Sequence, residues 1–313
     1  MATPTATRRR SDRFAFATTT LTVESDGGTC RGRLYRPDRP ATPPVVVMGP
    51  EFAAERTFGY PRYAERFARA GYAALVFDYR GFGESVAEAD DGAADTHVVD
   101  PAAQVADWEA VTDRVRRLDG KRRPIILWGF GLGGGHAISV AARSRRVDAV
   151  VAVAPLLDGR AFARARSARY LASAVRAGVQ DRLLAPFGRS HDVPVVGGRD
   201  EFGVLPRRPT GDAYLDLVPP DSDWHNRTPA RSLFSLFRYR PLADAADVTC
   251  PTLLLAAAED DLVPTETVTT AADLIDDATL LRMPVGHVDP LGDAFETAVT
   301  HQLAFLDGAV GTP

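Results

Sequence analysis

The sequence predicts an α/β fold organised around a mostly parallel sheet, and three observations carry that prediction. Runs such as Val45-Val46-Val47-Met48 and Ile125-Ile126-Leu127-Trp128 are apolar at every position, as strands buried on both faces must be. These runs alternate with longer stretches of helical periodicity, the rhythm of βαβ units. The run Gly129-Phe130-Gly131-Leu132-Gly133-Gly134-Gly135-His136 leads from a strand directly into a helix. So many glycines at one junction mean that backbone segments approach each other closely there.

The elements follow in chain order. Phe14 to Val23 and Cys30 to Tyr35 flank Asp26-Gly27-Gly28, turn chemistry that predicts an antiparallel hairpin at the edge of the sheet. Val45 to Met48 is a buried strand, and a helix follows from Tyr60 to Ala70. The strand Ala73 to Phe77 runs into Asp78-Tyr79-Arg80-Gly81-Phe82-Gly83-Glu84-Ser85. Pro101 opens a helix reaching Leu118, because a missing N–H costs little in the first turn. Ile125 to Trp128, Val147 to Val153 and Thr252 to Leu255 are core strands; 280–283 is a last short strand and 291–307 a closing amphipathic helix. From Asp158 to Arg240 the rhythm breaks. Arginine- and alanine-rich sequence predicts a helix from Ala161 to Ala177, ended by Gly178 as its cap, and Pro/Gly-rich sequence follows. The expected organisation is a disordered tail over residues 1–12, a core formed by 13–157 and 241–313, and a cap inserted over 158–240.

Composition removes several function classes. The 313 residues are 45% hydrophobic and 25% charged, ordinary for a soluble domain. A net charge of −4 argues against a nucleic-acid partner, which calls for a basic patch or high pI. No apolar run is long enough to span a bilayer, so no membrane partner is expected. Arg8-Arg9-Arg10 is not followed by the apolar stretch of a signal peptide, and a cytoplasmic location is the default. Cys30 and Cys250 fit neither a metal spacing nor a disulfide framework and read as small buried hydrophobes. No metal or cofactor motif is present, so cofactor-free chemistry on a small-molecule substrate is expected, and a homodimer is compatible with the sequence.

The strand-to-helix junction carries the functional argument. Gly129-x-Gly131-x-Gly133 has the small flanks of a G-x-S-x-G nucleophile elbow, with glycine where that motif has serine. Gly129-x-Gly131-x-x-Gly134 also fits a dinucleotide fingerprint, but the next strand ends Ala152-Val153-Ala154-Pro155, without the carboxylate such a site needs. Downstream, Glu259-Asp260-Asp261-Leu262-Val263-Pro264 and Gly286-His287-Val288-Asp289-Pro290 each follow a strand. The order elbow, acid, histidine resembles the α/β-hydrolase superfamily. Asp78 to Ser85 looks like its D-x-R-G-x-G-x-S turn, and Trp224-His225-Asn226 with Tyr239-Arg240-Pro241 is similar to the polyketide-transferase-like and dienelactone-hydrolase-like branch.

That resemblance implies an eight-stranded sheet with an inserted cap, Asp260 as the catalytic acid (Asp261 or Glu259 if the loop is shifted), and His287 as the base. The oxyanion-hole donors would be the N–H groups of Phe52 and Leu132. Two departures stand out. The nucleophile position is Gly131, and the loop that normally reads His-Gly-Phe-Gly reads Pro50-Glu51-Phe52-Ala53, placing a carboxylate beside the hole. Both catalytic loops have changed, which points to natural divergence. The leading expectation is an enzyme without acyl-serine chemistry. A His287–Asp260 pair would act as general base on water or on the substrate, with Glu51 as partner acid. The outcome would be direct hydrolysis or a lyase- or cyclase-type step. The cap's Leu, Phe, Tyr and Arg content suits a medium-sized, partly apolar, anionic, polyketide-like molecule. The alternatives are a ligand-binding protein without catalysis and a serine esterase or thioesterase inactivated at Gly131.

Overall fold

A computed structural model describes residues 14–86, 96–198 and 201–313; the tail expected over 1–12 lies outside them. Eight strands form one sheet: β1 (Phe16–Ser25), β2 (Gly28–Pro37), β3 (Val45–Gly49), β4 (Ala73–Phe77), β5 (Ile125–Phe130), β6 (Ala149–Val153), β9 (Thr252–Ala257) and β10 (Ala278–Met283). Two short strands, β7 (Asp192–Val193) and β8 (Thr228–Pro229), pair separately. The sheet order is β1-β2-β4-β3-β5-β6-β9-β10. β1–β2 and β2–β4 are antiparallel and every later pair is parallel. The expected edge hairpin is present, with Gly27 in the left-handed region at its turn.

β3, β4, β5 and β6 are buried at every position, because helices cover both faces. Those helices are α1 (Tyr60–Ala70), α2 (Pro101–Arg116), α3 (Leu132–Arg143), α8 (Thr265–Leu274) and α9 (Phe295–Ala309). The ends of α1 and α2 follow local rules. α1 begins with Pro61 in its first turn and stops at Gly71, whose φ of 102° few other residues adopt. α2 begins at Asp100, whose carboxylate accepts the N–H groups of Ala102 and Ala103.

The chain between β6 and β9 carries α4 (Gly159–Arg164), α5 (Ala168–Leu184), α6 (Asp212–Asp216) and α7 (Ser232–Arg238). Here the structure differs from expectation. The single helix ending at Gly178 is two helices, and α5 continues through Gly178 to Leu184. Gly178 serves packing instead: a Cβ there would lie 2.7 Å from the ring of Phe234. Strand ends shift by one or two residues in every sheet strand but β4, and three ends near the site or its helices shift as follows. α2 stops at Arg116 before a separate 3-10 turn, β5 extends to Phe130, and α9 starts at Phe295 because Asp289–Leu291 forms its own turn. α8 was not foreseen in the sequence.

The strand order positions the site. β3 lies between β4 and β5, so the chain departs in opposite directions on either side of it, the kind of switch point where a crevice opens at the carboxyl ends of strands. β3 leads to Glu51, β5 to Gly131, β9 to Asp260 and β10 to His287.

Candidate active site

The elbow between β5 and α3 is forced by contact. A Cβ on Gly129 would run into the backbone of Gly133, and a Cβ on Gly133 would run into the carbonyls of Gly49 and Pro50. Gly131 has φ 52° and ψ −114°, a combination costly for a residue with a side chain. Its N–H donates to Val153 O at 2.9 Å, and its carbonyl accepts Leu156 N–H at 2.9 Å.

The expected site residues converge, in an arrangement the sequence does not disclose. Asp260 Oδ2 lies 2.6 Å from His287 Nδ1, while its Oδ1 accepts the N–H groups of Leu262 and Val263 at 2.8 Å each. Asp261, the alternative acid, instead accepts from the Thr210 hydroxyl. On the other side of the imidazole, His287 Nε2 lies 3.0 Å from Glu51 Oε2. Glu51 is 5% exposed and His287 1%. The carboxyl does not point to solvent.

The two N–H groups expected as oxyanion-hole donors converge on one point, and that point is occupied. Phe52 N–H and Leu132 N–H both donate to Glu51 Oε1, at 2.5 and 2.9 Å. Glu51 Oε1 therefore accepts two N–H groups while Oε2 faces His287 Nε2. The side chain also fills the space at the elbow, since a Cβ built on Gly131 would coincide with Oε2. Glycine at 131 and glutamate at 51 are one structural change expressed at two positions.

The loop carrying Glu51 is pinned group by group. Glu51 N–H donates to the Tyr60 hydroxyl at 2.9 Å, and Pro50 O accepts from the Tyr79 hydroxyl at 3.2 Å. Phe52 O accepts from the Tyr214 hydroxyl and Ala53 O from Trp224 Nε1, each at 2.9 Å. Trp108 Nε1 in turn donates to Tyr79 at 3.0 Å. Left-handed backbone falls on Ala53, φ 55°, rather than on Glu51. Sequence reasoning missed Tyr60, Tyr79 and Tyr214 as supports. Their only signal is a hydroxyl on an aromatic residue destined for the core, which must find a partner.

Two carboxylates around one imidazole set its charge. Burial alone would push the His287 pKa down, but Asp260 and then Glu51 outweigh it and raise it to about 10. Burial opposes ionisation of Asp260 as well, yet the facing imidazolium and the two backbone donors leave its pKa below the ordinary value. Both carboxylates thus favour the charged form of His287, Asp260 from the Nδ1 side and Glu51 from the Nε2 side. The other buried histidine, His136, lies between the Tyr239 hydroxyl at 2.6 Å and Gln104 Oε1 at 3.0 Å. Burial lowers its pKa to about 3, so it is a neutral packing residue tying Tyr239 to α3.

Above Glu51 lies a nearly closed apolar pocket of about 10 Å³, barely room for one water, lined by Phe52, Leu156, Phe162, Val204, Leu205, Leu236, Leu262 and Val263. Arg166 backs its wall, with the guanidinium 4.3 Å from the Phe162 ring centre and donating to Leu262 O. Asp78 is structural, as the turn resemblance implied: it accepts Arg56 N–H at 2.6 Å and lies 3.0 Å from Arg56 Nε. Cys30 and Cys250 are buried and free. No helix among the described residues is long and apolar enough to cross a membrane.

Relatives agree with this architecture. The quorum-quenching protein AidA of Acinetobacter baumannii is 29% identical over 287 residues, spanning 90% of this chain and 92% of that protein. The thiohydrolase aneE of Aspergillus aculeatus is 27% identical over 258 residues, 79% of this chain and 77% of its own. Among solved structures, the α/β hydrolase GrgF from Penicillium matches 95% of this chain and 99% of its own, with a TM-score of 0.77 at 22% identity. DcsB, solved in complex with its substrate analogue, matches 94% of this chain and 99% of its own, with a TM-score of 0.78 at 23% identity. The sequence pattern of the Hydrolase_4 family, described as serine aminopeptidase S33, matches residues 53–282, stopping just short of both Glu51 and His287. With that pattern covering most of its length and the matching sheet, the chain belongs to the Hydrolase_4 (serine aminopeptidase S33) family of α/β hydrolases.

Proposed function

We propose that this protein is a cofactor-free enzyme in which the chain Glu51–His287–Asp260 replaces serine chemistry. The observation that carries the proposal is the double engagement of Glu51, with one oxygen on the two oxyanion-hole donors and the other on His287. With that hole filled, a substrate carbonyl undergoing acyl transfer lacks its donor pair. What the site offers instead is a base and an acid 3.0 Å apart, the Glu51 carboxylate and the His287 imidazolium, with Glu51 among the residues lining the pocket. Neighbouring groups held in opposite protonation states are how one site runs acid and base steps together.

On a β-hydroxy carbonyl compound, Glu51 would take a proton from the substrate carbon or hydroxyl. His287 would give one to the oxygen that gains charge. Abstraction at carbon with departure of the hydroxyl yields an enone and water. Abstraction at the hydroxyl with cleavage of the carbon–carbon bond yields two carbonyl products. Asp260 holds the imidazole and stabilises its charge throughout. Relatives named as a thiohydrolase and a polyketide transferase support a medium-sized polyketide-like substrate. A pocket for binding alone has no use for a buried chain of three ionisable groups, which is costly to desolvate. An esterase inactivated by one substitution does not account for Glu51 filling the space at Gly131.

The test is product formation from apolar β-hydroxy ketones, medium-chain lactones and thioesters, followed by mass spectrometry. The proposal expects turnover of a β-hydroxy ketone that falls about a hundredfold or more in both Glu51→Gln and His287→Gln. Turnover unchanged in either variant contradicts it. Binding without product favours the ligand-binding alternative.

A further inference from the structure

Outside the site, the surface carries one concentrated feature. The large hydrophobics most exposed among the described residues are Val175, Val179, Leu183, Phe187 and Leu274, and the first four lie on α5 and the turn just after it. A spacing of four residues places Val175, Val179 and Leu183 in one stripe along the outer face of α5, with Phe187 in the turn that follows, while Ala174, Ala177 and Asp181 face inward. Phe187 is 78% exposed and Leu183 68%. Residues 159–191 hold seven arginines against one acid, Asp181. That aspartate is buried and bound by Arg231 at 3.1 Å, so it does not offset the surface charge. Arg160, Arg164, Arg169, Arg176, Arg182 and Arg189 are all exposed. The segment thus has a net charge of +6 in a chain whose total is −4.

We infer that α5 is a docking surface for an anionic lipid layer, its apolar stripe entering the headgroup region and its arginines meeting lipid phosphates. An apolar stripe bordered by arginine is what lies stably in that interface, and each basic side chain near an anionic surface adds attraction. Charge separates this occupant from a second copy of the chain. Any two-fold pairing of α5 with itself sets one +6 segment against another, whereas an anionic layer is complementary to it. The sequence expectation of no membrane partner concerned spanning segments, and a helix lying on a surface needs none. α4 belongs to the same basic segment and contributes Phe162 to the pocket above Glu51, so docking there brings the pocket wall close to a source of apolar molecules.

The experiment is co-sedimentation of the full chain with vesicles of phosphatidylglycerol and phosphatidylcholine, compared with phosphatidylcholine alone. Wild type is expected to partition at least about tenfold more strongly onto the anionic vesicles, and less as salt rises. Leu183→Ser/Phe187→Ser and Arg169→Glu/Arg176→Glu are each expected to lose that partition while melting at the wild-type temperature, since all four side chains are exposed. Equal partition onto both vesicle types, or none onto either, overturns the inference. So does a dimer, seen by light scattering, that dissociates in Leu183→Ser/Phe187→Ser without vesicle binding by the wild type.

Discussion

The Glu51 carboxylate occupies the volume that a side chain at position 131 would need, because Oε2 lies where the Cβ would be. The two residues sit 80 positions apart on loops after β3 and β5, strands that are hydrogen-bonded neighbours. Each residue explains the other. Glycine makes room for the carboxylate, and the carboxylate uses the donors and the imidazole that the elbow leaves without a hydroxyl partner.

Restoring serine alone is therefore expected to fail. Gly131→Ser forces Glu51 off its donors and should destabilise the fold by about 1–3 kcal/mol, the usual cost of overpacking a filled interior. It should show no ester cleavage. Glu51→Gly/Gly131→Ser removes the clash and frees the hole, and should cleave activated esters. Thermal melts and p-nitrophenyl ester assays of both variants test this; a single variant as stable as wild type and active as an esterase speaks against it.

Stability should fall as pH rises through the alkaline range. His287 has its pKa raised from 6.5 to about 10 in the folded state. Its contribution is fully present below the unfolded value, shrinks as the unfolded histidine deprotonates first, and is lost above about pH 10. Denaturant midpoints measured from pH 6 to 10.5 should decline in wild type and decline less in Glu51→Gln, where one of the raising carboxylates is gone. A flat profile refutes the charge assignment.

Removing one support of the Glu51 loop should be costly despite its small size. Tyr60→Phe leaves Glu51 N–H buried without its acceptor, a loss of about 1–3 kcal/mol. Urea unfolding gives the stability change, and turnover should fall with it because the carboxylate is no longer held in place. A variant with wild-type stability would show that the hydroxyl is not the acceptor.

Gly133→Ala sets two effects in opposition. Alanine gains about 1 kcal/mol over glycine inside a helix, and less in a first turn. Its Cβ meets the Gly49 and Pro50 carbonyls, backbone that cannot rotate away. The clash is expected to win, with a lower melting temperature; a higher one would mean that the loop before Glu51 is free to move.

The sheet was legible because its strands are buried on both faces and so are apolar at every position, as in Val45-Val46-Val47-Met48. The elbow was legible because its flanking glycines answer a contact the fold always makes. Gly178 misled because a glycine placed for Phe234 has the same sequence signature as one that ends a helix. Asp260 and His287 were readable from the strands before them. The direction of the Glu51 side chain was not, because it depends on Leu132 and His287, which reach it only through the strand order. The tyrosines holding the loop were hidden for the same reason: their partners are backbone groups of distant residues.

The most direct measurement is nuclear magnetic resonance of the His287 ring in wild type and Glu51→Gln across pH 5 to 11, assigned with His287→Gln. A carboxylate on each side of the imidazole predicts that both ring nitrogens stay protonated past pH 8, with a transition near 10 that moves to lower pH in Glu51→Gln. A transition near 6.5 that is the same in both proteins would mean that Glu51 does not engage His287, and the account of a carboxylate in place of the hydroxyl would be wrong.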